Sequence, residues 1–145
     1  MFAAFPLLAL PVVIYNLIVA AFVTGGFHPR AANSAEALER MTRPLFQVPT
    51  ATGGSWPGGI GDLLVFASLI LLFVELLKST TSRRVAIINH SLSMLLFILC
   101  LVEFLLFPAF ATPPFFLVTT MVLLDVLAGF IVTIVAARRD IDLGN

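Results

Sequence analysis

The run from Val85 to Phe107, VAIINHSLSMLLFILCLVEFLLF, limits most strongly what this chain can become. As a helix rising 1.5 Å per residue it reaches about 34 Å, enough to cross a hydrocarbon core of about 30 Å with some tilt. Polar side chains are embedded in it, and they are not scattered. At 100° per residue, Asn89, His90, Ser93, Cys100 and Glu103 fall within about 140° of one another. Ser91 points elsewhere and can return its hydroxyl to a carbonyl one turn back. Such a helix has a lipid face and a polar stripe, and the stripe must meet other helices.

Composition agrees. The chain has 145 residues, 60% hydrophobic and 11% charged, against a usual charged share of about a quarter, so a soluble domain is excluded. Its net charge of zero gives no reason to expect nucleic acid or an acidic substrate as a partner. The single cysteine, Cys100, has no internal disulfide partner and reads as a small buried hydrophobe.

Four apolar spans are expected, at residues 6–24, 60–78, 85–107 and 114–137. The first lacks a basic residue ahead of its apolar run and is long, so it reads as a retained helix and not a cleaved leader. Pro6 suits a first turn; Pro11 is expected to kink the helix by displacing the Leu7 carbonyl. Asn16 and Ala20 form a close-packing face on it. The loop at residues 25–59 is predicted to lie on the outer side. Within it, Asn33 followed by Glu36 forms a helix-start box for SAEALERM, with Ala35, Leu38 and Met41 on one side against the membrane surface. Pro44 ends that helix. The segment LFQVPTATGGSWPGG then reads as extended chain and turns, with Trp56 as an interfacial anchor. The expected fold is all-α: one polytopic domain over residues 1–145, four transmembrane helices in an antiparallel bundle.

Orientation follows from basic residues. Lys78, Arg83 and Arg84 flank the short connection between the second and third spans, and Arg138 and Arg139 follow the fourth. Short loops rich in Lys and Arg stay in the cytoplasm, so both termini are expected inside. The uncharged PAFATPP connection, residues 108–114, suits the outside.

The remaining polar residues define the candidate site: Glu75, Asn89, His90, Ser93, Glu103 and Asp125. Ser68, Glu75 and Ser79 form a stripe on the second span, with Lys78 a ready local partner for Glu75. Asp62 opens that span, where a helix N-terminus favours a carboxylate. On the fourth, Asp125, Gly129, Thr133 and Ala136 share a face, and Gly129 to Thr133 is a small-xxx-small spacing for helix packing. Asp125 lies near mid-membrane, where an unpaired acid costs about 2.5–3.5 kcal/mol, so it must face protein or be protonated. Its expected partner is a neutral polar group such as Asn16 or Ser68, or a water held between helices. Helical rise sorts the others into an inner layer (Glu75, Lys78, Asn89, His90) and an outer one (Asp62, Glu103). A Glu75–His90 hydrogen bond is expected in the inner layer and would suit a proton relay.

Two function classes follow. These groups can hold a bundle together, making a structural, accessory or oligomer-forming membrane protein without catalysis; this is the preferred reading. Alternatively they carry protons or ions. No Glu-x-x-His pair, HExxH, phosphate loop, GxSxG or paired cysteines occur, so no metal or cofactor is assigned. The partners expected are the lipid bilayer and a second copy or a larger membrane complex.

From about Leu45 to Ile141 the chain resembles a family of short four-span bacterial membrane proteins known only as hypothetical. The segments LFQVP, GDLLVFASLILLFVELLKST, HSLSMLLFILCLVEFLLFP and DVLAGFIVTIVAARRDI carry the resemblance. It implies the four-span architecture and a bacterial inner membrane, and it carries over no functional residue.

Overall fold

The computed structural model describes residues 5–23, 33–78 and 83–142, with the side chains of residues 22, 23, 83–86 and 136–142 left aside. The expectations for Ser79 and for the side chain of Ala136 lie outside that set. Three helices are long and apolar enough to cross a membrane: α3 (Ile60–Lys78), Ile87–Leu106 of α4 (Arg83–Leu106), and Pro113–Val135 of α5 (Pro113–Asp142). Their apolar side chains point outward in large number, with Phe66, Phe73 and Leu105 each more than three-fifths exposed. In water that would be untenable; in lipid it is ordinary.

The expected first span differs. Its described part is a helix of ten residues, α1 (Ala9–Ile18), followed by a π-helical turn over Val19–Val23. That is shorter than a membrane-crossing helix requires. The proline-rich start explains the late beginning. Pro6 precedes the helix, and its carbonyl accepts the Ala9 N–H at 3.1 Å. Pro11 falls in the first turn of this helix, where a missing N–H leaves nothing unpaired. The Leu7 carbonyl accepts the Leu10 N–H at 3.0 Å instead.

A second departure is a small β-hairpin, so the fold is not all-α. Strands β1 (Pro44–Pro49) and β2 (Ser55–Gly59) pair antiparallel, with Val48 opposite Trp56 and Pro49 opposite Ser55. Gly53 has φ +81° at the turn, a left-handed conformation that glycine adopts without penalty. Prolines on both strands remove ladder donors and keep the ribbon narrow. Strand β2 runs straight into α3, and Asp62 there accepts the Gly59 N–H at 2.8 Å, closing the helix start as expected.

Helix α2 (Ser34–Thr42) starts as read: the Asn33 side chain accepts the Glu36 N–H at 2.7 Å. Its buried residues are Ala37 and Met41, while Ala35 is exposed, so its apolar face is rotated from the expected one. The reason is its neighbour. The 108–114 connection is no open loop; Pro108–Phe110 forms a 3₁₀ turn whose Ala109 and Phe110 are buried, and α2 packs on that turn and on α3. Below it, Tyr15 stacks against Phe115 and Phe110 at ring separations of 4.6 and 5.6 Å.

Candidate functional site

Two carboxylates, Glu75 and Asp125, are completely buried, and their surroundings are opposite. Glu75 sits near the C-terminal end of α3. Its Oε1 accepts from Asn89 Nδ2 of α4 at 2.6 Å and from Lys78 Nζ at 3.1 Å. Its Oε2 accepts the backbone N–H of Leu7 at 2.6 Å. Lys78 also donates to the Phe5 carbonyl at 2.8 Å. The carboxylate thus has three donors, one of them a cation, and it pins the entry to α1 onto the ends of α3 and α4. Charge-assisted bonds of this kind offset the desolvation that burial imposes.

Asp125 sits mid-way along α5 with one donor among the described residues. Ser93 of α4 gives its hydroxyl to Asp125 Oδ2 at 2.5 Å, while Oδ1 is buried and has no hydrogen-bond partner among the described residues. The expected partners were Asn16 and Ser68. Asn16 is elsewhere, donating to Glu103 Oε2 at 3.3 Å and to the Val12 carbonyl at 3.1 Å, and Ser68 turns back to the Leu64 carbonyl.

His90 also departs from expectation. The Glu75–His90 bond does not form: Glu75 is fully occupied by others, and both ring nitrogens of His90 are buried without a partner among the described residues. Asn89, the next residue, faces α3 and takes the place expected of the histidine. One residue is 100° on a helix, so His90 is turned toward α5. There its ring lies on Gly129, where any Cβ would collide with it. The absence of a side chain at Gly129 is what lets the imidazole in. Thr133, the other small residue of the spacing, returns its hydroxyl to the Gly129 carbonyl at 2.9 Å. The Gly129 face is therefore filled from within the chain.

At the opposite end, Tyr15 Oη lies 2.5 Å from Thr112 Oγ1 and donates to the Ala109 carbonyl at 3.3 Å. This tie was missed in the sequence, although a tyrosine in an apolar span signals one, since its hydroxyl needs a partner when buried. Helix α1 is thereby held at both ends of the molecule, near Glu75 and near Glu103 and Thr112. No three His, Cys, Asp or Glu side chains converge to hold a metal among the described residues.

Comparison with protein-family models, with curated proteins and with solved structures gives no match.

Proposed function

We propose that this chain is a small integral protein of a bacterial inner membrane, structural or accessory in role, that associates with itself or with a larger membrane complex and has no catalysis of its own. The observation that carries this reading is how little of the long helices the chain covers. Only 28% of the α3 span and 22% of the α4 span are buried within the protomer. Interhelical polar ties such as Glu75–Asn89 and Asn16–Glu103 fix the register of the helices. They leave the outer faces as smooth apolar surfaces for lipid or another helix.

In this reading the whole segment 6–24, of which α1 and the π turn are the described part, completes a fourth crossing, and Lys78, Arg83, Arg84, Arg138 and Arg139 lie on the cytoplasmic side with both termini. Mass determination of the purified protein in lipid nanodiscs tests the assembly. A defined dimer or higher species, or a stoichiometric co-purifying membrane protein, is expected; a protomer alone at all protein-to-lipid ratios overturns it.

A second reading, a proton-handling element, is favoured by one observation, the single donor to Asp125.

A further inference from the structure

Asp125 and His90 are neighbours across the α4–α5 contact. Ser93, one turn from His90, bonds Asp125, and Gly129, one turn from Asp125, carries the His90 ring. Each residue is thus one helical turn, about 5–6 Å, from the other's partner. Three polar atoms at this contact, Asp125 Oδ1, His90 Nδ1 and His90 Nε2, are buried without a hydrogen-bond partner among the described residues. Buried polar atoms are nearly always paired, and three orphans at one contact mark a place built for something other than packing.

We propose that Asp125 and His90 form a single proton-binding site, loaded from the side of the membrane on which α4 begins. The ligand is one proton. With it, the carboxylate is neutralised and can donate; without it, the charge is left with the Ser93 hydroxyl and the imidazole. The charged groups around the site are few. Glu75 and Lys78 of α3 and His90 of α4 act on Asp125 electrostatically. Glu75 and Lys78 are bound to each other at 3.1 Å, so their charges largely offset.

Access is one-sided. A groove of about 260 Å³ between α4 and α5 is lined by Ile87, His90, Met94, Gly129, Phe130 and Thr133. The groove runs a turn to either side of His90, from Ile87 to Met94, and His90 itself stands seven residues, about 10 Å of helix, from the start of α4. On the other side of Asp125 the path closes. Ten residues separate Ser93 from Glu103, about 15 Å of helix, and Cys100, Val118 and Val122 are buried in that interval. The hydroxyls of Ser68 and Thr119 there are turned to carbonyls of their own helices, Leu64 and Phe115. A group that loads from one face and cannot pass its proton to the other is a binding site and not a channel. This inference stands apart from the structural role proposed above and survives if that role fails.

The test follows both groups in the full chain reconstituted in liposomes. The Asp125 carboxyl is followed by infrared difference spectroscopy and the His90 ring by ¹⁵N NMR. In the wild type both signals should change together as pH is varied on the α4-entry side, and neither should respond to the opposite side. Asp125→Asn keeps the Ser93 bond; it should remove the carboxyl band and change the pH response of the His90 ring signal. A His90 transition unmoved in Asp125→Asn overturns the shared site. So do wild-type signals that titrate separately, a control that does not depend on any variant folding. A response to pH on both sides overturns the one-sided access.

Discussion

The backbone N–H of Leu7 donates to Glu75 Oε2 at 2.6 Å across 68 residues of sequence. A carboxylate from α3 therefore occupies the position that a capping side chain would fill at the entry to α1, where the helix dipole favours negative charge. Removing it leaves the Leu7 N–H and Asn89 Nδ2 short of an acceptor. Glu75→Ala is expected to destabilise the fold by about 2–4 kcal/mol, since each unsatisfied buried donor costs about 1–3 kcal/mol. Glu75→Gln should lose less. Thermal unfolding in detergent measures both, and amide exchange at residues 7–10 should quicken in Glu75→Ala alone. Unchanged exchange there would show that the clasp does not hold α1.

Asp125 gives a graded expectation. Asp125→Asn keeps an acceptor for Ser93 and should be tolerated. Asp125→Leu should loosen the bundle by about 1–2 kcal/mol, the upper range for polar contacts between membrane helices. Ser93→Ala should lose a similar amount, and the double variant less than the sum, because the two side chains share one bond. If Asp125→Leu proves as stable as the wild type, Asp125 has no structural role.

Gly129→Ala drives a methyl group into the His90 ring. A loss of about 1–3 kcal/mol is expected, the range for overpacking a filled contact. His90→Ala in the same chain should recover most of it. Thermal stability of the four species tests this, and strict additivity would separate the two positions.

Tyr15→Phe should cost about 0.5–1.5 kcal/mol by removing the hydroxyl from Thr112 and the Ala109 carbonyl while keeping the ring stack on Phe115. Thr112→Val should cost about the same. A stability equal to the wild type in both would mean that stacking alone seats α1.

Orientation is open to direct measurement. Reporters fused after Arg84 and after Asn145 should read cytoplasmic, and one near Gly53 external. A cytoplasmic signal at Gly53 reverses the arrangement and places the start of α4, the end nearer His90, at the outer face.

The long helices were legible because a run such as Val85–Phe107 has few alternatives once its apolar length and polar stripe are read together. Local chemistry was legible too: Asn33 with Glu36 and Glu75 with Lys78 form as read, and Asp62 sits at a helix start as expected. What failed was choice of partner between helices. Glu75 and His90 lie at matching depth, but depth does not fix rotation, and one residue of difference gave the place to Asn89. The Asp125 partner was within reach of a different argument. A short connection between Phe107 and Pro113 forces antiparallel register, so residues whose numbers sum to about 220 face each other. Ser93 with Asp125 and His90 with Gly129 nearly obey it, as do the Phe104 and Phe116 rings, 5.7 Å apart. The hairpin was hidden because its prolines and glycines announce turns and leave little strand between them.

Helix α1 has ten α-helical residues and five more in the π turn, and its polar ties end on Glu75, Glu103, Ala109 and Thr112. Every one of those groups is synthesised after α1 itself. The α1 segment therefore has no seat until the start of α5 has left the ribosome. Biogenesis is expected to close with α1 settling last against helices already in the bilayer.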